Sequence, residues 1–127
     1  MPSKENRELI EHYIEAYNAF DVEGMVQLLH QDIVFRNFAN GELNTETRGV
    51  EEFKMLAEQS SQIFSSRRQS ITSYSAADNQ IEVQIDYEGI LAVDLPNGLK
   101  AGDKLQLEGK SVFEMTDGKL SMIEDYS

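Results

Sequence analysis

The chain has 127 residues, of which 40% are hydrophobic and 27% are charged. These values are typical of one folded domain with one core, which we expect to span residues 1–127. The formal net charge of −12 disfavours nucleic acid and anionic membranes as partners, because their phosphates would repel the protein. The absence of cysteine excludes disulfides, thiolate catalysis and cysteine-based metal sites.

The N-terminal segment, "MPSKENRELI", contains no apolar stretch of signal-peptide length. No other segment approaches the length of a membrane-spanning helix. We therefore expect a cytoplasmic protein with no membrane partner.

Three segments predict helices. In residues 3–20, apolar side chains recur at three- and four-residue spacing, which is typical of an amphipathic helix. Asp21 is a suitable N-cap for a second helix over residues 22–31. The same period predicts a third helix over residues 49–64.

Strands are predicted where apolar and polar residues alternate, most regularly from Ile81 to Tyr87. Helices followed by such strands predict an α+β fold, in which three N-terminal helices pack on a strongly curved antiparallel sheet of about four to six strands. The predicted strands cover residues 32–38, 69–76, 80–95 and 104–115 and a last segment from residue 119, and residues 39–49 are expected to form a polar loop.

The last predicted strand contains two adjacent carboxylates, Glu124 and Asp125, of which only one can face the interior. Glu124 shares parity with Leu120 and Met122, so we predict that Glu124 points inward and Asp125 outward. A β-bulge would exchange the two faces. An inward Glu could reach water at the strand end, pair with a basic residue, or act as an acid or base of raised pKa.

The order of these elements resembles that of the NTF2-like superfamily, and within it the SnoaL-like and ketosteroid-isomerase-like proteins. The resemblance covers essentially the whole chain and is carried by "YIEAYNAFDVEGMVQLLHQDIVF", "RGVEEFKMLAEQ" and "FEMTDGKLSMIEDYS". It implies a cone in which a curved sheet wraps a long helix, a pocket between them, and homodimers through the outer sheet face. It does not imply one activity, because these folds host isomerases, cyclases, epoxide hydrolases, dehydratases and non-enzymatic binders.

Ketosteroid isomerases use a Tyr and an Asp as oxyanion donors and a second Asp as base. The resemblance puts the Tyr at Tyr13, but it puts the base at Asn37 and the oxyanion Asp at Ser111. An amide cannot shuttle a proton at neutral pH, so steroid isomerisation is not expected. The resemblance and the strand alternation both place on the pocket side Val83, Ile85, Tyr87, Phe113, Met122, Glu124 and Tyr126.

Two further groups could contact a ligand. Tyr13 and Tyr17 lie one helical turn apart, either as core residues or as hydrogen-bond donors to a ligand, and the resemblance favours Tyr13 as the donor. Asn37 shares the predicted inward face with Phe35 and needs a polar partner, which could be a side chain, a water or a ligand.

No metal or cofactor site is predicted. His12 and His30 have no partner at metal-ligand spacing, and the pair Arg67–Arg68 is expected to lie in a solvated turn rather than to form an anion site. The sequence contains no Gly-rich phosphate loop, nucleophile elbow or dinucleotide fingerprint.

The broken catalytic constellation favours a pocket protein that binds a small, largely apolar organic molecule without turnover. The alternative is a cofactor-independent acid–base enzyme of the isomerase, cyclase or dehydratase type. In that case Glu124 would move the proton, while Tyr13 and Asn37 would polarise a substrate oxygen. Either ligand is expected to contact Tyr17, Phe35, Val83, Ile85, Tyr87, Ser111, Phe113, Met122 and Tyr126.

Overall fold

A computed structural model describes residues 3–77 and 79–127. It contains three helices and six strands, so the predicted α+β class is confirmed. Within these residues no helix is both long enough and apolar enough to cross a membrane. The elements are α1 (Lys4–Asn18), α2 (Val22–Gln27), β1 (Leu29–Ala39), β2 (Glu42–Arg48), α3 (Val50–Ser61), β3 (Phe64–Ala77), β4 (Gln80–Leu91), β5 (Lys104–Thr116) and β6 (Lys119–Tyr126).

The N-termini of α1 and α2 are capped by side chains that accept backbone hydrogen bonds, whereas α3 begins at Gly49 without a side-chain cap. The Ser3 hydroxyl accepts from the Asn6 N–H at 3.2 Å, and Asp21 accepts from the Gly24 N–H at 2.9 Å. The predicted extension of α2 to residue 31 is wrong. The chain turns into β1 at Leu29 because it pairs there with β6, and tertiary pairing outweighs local helix propensity.

The strands form one strongly curved sheet in the order β2-β1-β6-β5-β4-β3. The prediction of an antiparallel sheet is wrong at one place, because β1 and β6 are parallel neighbours. The predicted polar loop over residues 39–49 is also wrong, since residues 42–48 form the edge strand β2. An edge strand can remain polar on both faces, so alternation did not reveal it.

The core lies between the helices and one face of the sheet, which we call the inner face. Tyr13 of α1 packs against the rings of Phe53 in α3 and Phe113 in β5, at centroid distances of 6.4 and 6.0 Å. Phe113 and Ile123 are fully buried, and burial of each such side chain contributes about 1.5–3 kcal/mol. The predicted inward alternation from Ile81 to Ile85 is confirmed, because these residues belong to the same core cluster.

The turn between β5 and β6 is a two-residue hairpin turn. Asp117 and Gly118 both have positive φ, at 53° and 76°, as a type I′ turn requires. Asp tolerates this left-handed region better than most residues, and Gly has no Cβ to clash. The turn therefore places β6 antiparallel to β5 and starts the register of the hairpin.

A β-bulge at Ser121 interrupts that register. Ser121 is the extra residue, and its hydroxyl donates to the Glu114 carbonyl at 3.2 Å and accepts from the Thr116 hydroxyl at 2.9 Å. An extra residue shifts the alternation of the following strand by one position. Before the bulge, Leu120 pairs with Met115. After the bulge, Met122 pairs with Glu114 and Ile123 pairs with Phe113.

Candidate functional site

A cavity of about 420 Å³ opens between the inner face of the sheet and the helices, a volume typical of small-molecule sites. Apolar side chains from α3, β1, β3 and β4 form much of its wall. Polar groups are interspersed among them, so the cavity is of mixed character. The polar side chains used below are Tyr17, Asn37, Gln69, Tyr87, Ser111 and Asp125.

Two carboxylate residues line this cavity, the exposed Glu108 and the more buried Asp125. Asp125 lies opposite Ser111 in the β5–β6 ladder, and the buried Ser111 hydroxyl donates to its Oδ1 at 2.6 Å. The cavity gives the residue intermediate exposure, but protein atoms surround the carboxyl group. This desolvation raises the pKa of Asp125 to about 6, against the smaller opposing effect of the Ser111 hydrogen bond. No cation of the described residues contributes to that pKa.

Two tyrosine hydroxyls meet in the cavity wall. The hydroxyls of Tyr17 and Tyr87 are 3.0 Å apart, and their rings pack edge to face at 6.3 Å. Burial is the main cause that raises both pKa values, and the charge of Asp125 adds to it, so both hydroxyls lie within electrostatic range of that carboxylate. One hydrogen bond between two hydroxyls uses one proton, so the pair keeps a second O–H that can donate elsewhere.

Two of the side-chain amides that line the cavity lie opposite Asp125 and Tyr87. Asn37 lies directly opposite Asp125 in the parallel β1–β6 ladder, so the two side chains share the inner face. Gln69 of β3 lies opposite Tyr87, and its Oε1 is buried with no hydrogen-bond partner among the described residues. A buried acceptor without a donor is a group that a ligand can satisfy.

The prediction that Arg67 lies in a solvated turn is wrong. Arg67 is 5% exposed on β3, and its guanidinium lies 3.7 Å from the centre of the Tyr17 ring and 4.4 Å from that of Phe20. Its Nε donates to the Tyr17 carbonyl at 2.9 Å. The negative end of the α1 dipole therefore helps to compensate this buried charge. Arg67 itself is not among the residues that line the cavity.

The prediction that Glu124 faces the cavity is wrong. Its carboxylate lies on the outer face, where Arg36 Nη1 donates at 2.9 Å and the Tyr126 hydroxyl donates at 2.8 Å. The Glu124 side chain is 16% exposed, and Arg36 also donates to Glu46 at 2.6 Å. The parity count failed because the bulge at Ser121 exchanges the faces of the residues that follow it.

The predicted contact residues fall into three groups. Three of them, Tyr13, Val83 and Phe113, are buried in the core and do not line the cavity. Met122 does not line the cavity and has the outward parity of Glu124, so its predicted pocket position is wrong. Those that do line the cavity are Tyr17, Phe35, Asn37, Ile85, Tyr87, Ser111 and Tyr126.

Sequence reasoning missed several polar residues that line the cavity, among them Asp125 and Gln69. The cross-strand partners of both residues carried correct inward predictions, Ser111 for Asp125 and Tyr87 for Gln69. Directly paired residues share a face, so the correct register would have identified both. In the part of the chain that the structure describes, no three His, Asp or Glu side chains are close enough to hold a metal ion.

The family model of the SnoaL-like domain matches residues 10–123. A search of curated proteins found no matching sequence. Several solved structures share the fold. A candidate polyketide cyclase from Xanthomonas campestris pv. campestris has a TM-score of 0.83 and 18% identity, covering 98% of this chain and 90% of that chain.

Two other similar structures are named for different activities. A candidate hydroxylase from Streptomyces galilaeus has a TM-score of 0.74 and 16% identity, covering 95% of this chain and 86% of that chain. An LEH-like epoxide hydrolase from M. tuberculosis has a TM-score of 0.76 and 18% identity, covering 98% of this chain and 83% of that chain. These identities indicate a shared fold alone, whereas the family match spans most of the sequence. The chain therefore belongs to the SnoaL-like domain family of NTF2-like proteins.

Proposed function

We propose that this protein is a cofactor-independent acid–base enzyme that acts on a small, largely apolar organic molecule, with Asp125 as the proton acceptor. One observation carries the proposal: the Asp125 carboxyl lies in a cavity wall with Ser111 as its hydrogen-bond partner and with a pKa raised to about 6 by burial. Such a carboxylate is ionised at neutral pH and is a stronger base than one in water.

The neighbouring groups have the chemistry that this role requires. Removal of a proton from a carbon next to a carbonyl group places negative charge on the carbonyl oxygen. The free O–H of the Tyr17–Tyr87 pair can donate to that oxygen, and the Asn37 amide can donate beside Asp125. Donors that are already oriented in a water-poor site stabilise such charge more strongly than water does.

The proposal modifies the roles suggested by the sequence. Asp125 replaces Glu124 as the base, and Tyr17 with Tyr87 replaces Tyr13 as the donor. Asn37 keeps its proposed role of polarising a substrate oxygen. Isomerases, cyclases and dehydratases all use this type of proton transfer, and one of the proteins of similar fold is named as a candidate polyketide cyclase.

Binding without turnover is the second candidate. It is favoured by Asn37 and Ser111, which occupy positions where the ketosteroid-isomerase resemblance would require carboxylates. Asp125 would then serve as a recognition group in the cavity wall. The homodimer and the cytoplasmic location expected from the sequence also remain proposals, and sedimentation at micromolar concentration tests the homodimer.

The Kemp elimination of 5-nitrobenzisoxazole tests the proposed base without knowledge of the natural substrate. A carboxylate takes the proton of the ring carbon, the N–O bond breaks, and a coloured cyano-nitrophenolate forms. Asp125→Asn keeps the shape of the side chain but removes the base, so kcat/KM should fall by about 10²–10⁴. Glu124→Gln is the matched control on the outer face and should retain the wild-type rate.

Equal rates for wild type and Asp125→Asn would contradict the proposed base. A wild-type rate no higher than that of acetate at the same pH, together with saturable binding of the probe, would instead support the binding function. The two candidates are thus separated by one set of variants.

A further inference from the structure

We infer that the cavity is a binding site for organic monocations, such as a quaternary ammonium group on an apolar or aromatic body. This inference concerns binding and does not rest on turnover. It follows from the carboxylate of Asp125, from the aromatic rings beside it, and from the positions of the neighbouring basic side chains.

The first step is the charge of Asp125. Above its pKa the carboxylate is ionised, and its partner is the neutral Ser111 hydroxyl. A buried charge is stable only when it is paired or well hydrogen-bonded. Water solvates the Asp125 carboxylate poorly in this site, so an entering cation would pair with it favourably. An anionic ligand would meet the same charge as repulsion.

The second step is the aromatic lining. Tyr17, Tyr87, Phe35 and Phe64 all line the cavity, and Phe64 packs edge to face against Tyr87 at 5.9 Å. The Arg67 guanidinium already lies over the Tyr17 ring, so a ligand cation is left with the rings of Tyr87, Phe35 and Phe64. The negative face of an aromatic ring attracts a cation, and quaternary ammonium groups are bound in this way in aromatic cages. The cavity therefore combines a carboxylate with ring surfaces.

The third step is that the nearest basic side chains make their contacts with groups other than Asp125. Lys110 borders the cavity, but its Nζ lies 3.1 Å from Glu82 and 5.3 Å from the centre of the Tyr126 ring. Arg67 donates from Nε to the Tyr17 carbonyl and stacks on the Tyr17 ring. Its Nη2 is buried without a partner among the described residues, but Arg67 does not line the cavity. The net charge of −12 further raises the local concentration of cations at the protein surface.

The tyrosines near Asp125 do not titrate in the relevant pH range. Tyr13 and Tyr17 of α1 and Tyr87 of β4 have pKa values raised above 10.0 by burial. The facing side chains of β1 and β5, Asn37 and Ser111, do not ionise. The other charged side chains nearby are Arg67 of β3 and, in the cavity lining, Glu108 and Lys110 of β5. A change of cation affinity between pH 5 and pH 7.5 that is lost in Asp125→Asn therefore reports on Asp125.

A pair of isosteric ligands isolates the charge. In (3-hydroxyphenyl)trimethylammonium a cationic nitrogen replaces the central carbon of the butyl group in 3-tert-butylphenol, and both can be titrated by calorimetry. At pH 7.5 and low salt, we expect the cation to bind about tenfold more tightly than the neutral ligand. At pH 5, where about nine-tenths of Asp125 is protonated, this preference should largely disappear.

Variants separate the cavity charge from the net charge of the protein. Asp125→Asn should abolish the preference at pH 7.5 while leaving the affinity for 3-tert-butylphenol intact or higher. Glu124→Gln removes the same charge from the outer face and should keep the preference. The wild-type pH comparison gives an independent result should Asp125→Asn fold poorly.

Equal affinities for the two ligands in the wild type at pH 7.5 would overturn the inference, as would a preference that survives Asp125→Asn. A protein that prefers the cation but fails the Kemp test would support the cation-binding site and contradict the proposed acid–base activity. A protein that passes the Kemp test but shows no cation preference would have the base without this ligand class.

Discussion

Glu124 and Asp125 are neighbours in the sequence, yet they lie in opposite electrostatic environments. On the outer face, β1 places Arg36 directly opposite Glu124, and the guanidinium pairs with the carboxylate at 2.9 Å. On the inner face, the same strand places Asn37 opposite Asp125. The chemistry of each carboxylate is thus set by its cross-strand partners, whereas the residue type is nearly the same.

The two carboxylates also differ in their effect on the stability of the folded protein. The charge of Glu124 is compensated by a cation and by the Tyr126 hydroxyl. The charge of Asp125 is buried against a single hydroxyl, which is unfavourable for folding. Uncompensated groups of this kind are typical of functional sites, where activity is retained at some expense of stability.

Of the two carboxylates, Asp125 should give the larger change in the free energy of unfolding when it is replaced by its amide. The pKa of Asp125 rises from 3.8 to about 6 on folding, so the folded protein holds the proton more tightly than the unfolded chain. The free energy of unfolding therefore falls as pH rises from about 4 to 6 and then stays level, a loss of about 3 kcal/mol at pH 7.5. Asp125→Asn should recover up to about 3 kcal/mol at pH 7.5 and roughly half of that at pH 5.

Urea unfolding of wild type and variant at both pH values measures this difference. Glu124→Gln is the control, since it removes a carboxylate from the same strand but on the outer face, away from the cavity. A destabilised Asp125→Asn at pH 7.5 would mean that the carboxylate has a partner that stabilises its charge.

The second expected effect is the pH dependence of the proposed proton transfer. Because Asp125 must be ionised to accept a proton, the Kemp rate should reach a plateau above its pKa of about 6. At pH 5 the rate should be about one-tenth of the plateau, since only about one-tenth of the carboxyl groups are ionised. Initial rates between pH 5 and 8, corrected for buffer catalysis, give the profile.

Glu124→Gln should leave this pH profile unchanged. A profile that is flat from pH 5 to 8, or one whose midpoint moves in Glu124→Gln, would assign the titrating group to another residue than Asp125.

The smallest expected effect is that of Glu124→Gln on stability, and its sign is opposite to that of Asp125→Asn. The variant weakens the pairing of Arg36, which keeps Glu46 at 2.6 Å as a partner. The free energy of unfolding should fall by about 1 kcal/mol or less at low salt. Added salt should reduce the difference, because mobile ions screen partly exposed charges.

Urea unfolding at low and high salt measures this effect at pH 7.5. Glu46→Gln is a suitable companion, since it removes the other carboxylate bound to Arg36. A stabilising Glu124→Gln would show that its pairing does not offset its desolvation.

Much of the fold could be predicted from the sequence alone, because helix and strand periodicity are local properties. The alternation from Ile81 to Tyr87 placed the inner face of β4 correctly, and the same count placed Ser111 and Phe113 in β5. The apolar stripe of α1 likewise identified Tyr13 and the other buried residues of that helix. Each of these predictions depends on side chains within a few residues of one another.

The identity of the inward carboxylate was decided only by the tertiary structure. The register of β6 depends on the bulge at Ser121, on its antiparallel pairing with β5 and on its parallel pairing with β1. The edge strand β2 likewise exists through backbone pairing with β1 and has no apolar pattern of its own. Strand partners are distant in sequence and join through backbone groups that all residues share, so side-chain patterns could not reveal which carboxylate, Glu124 or Asp125, would face the cavity.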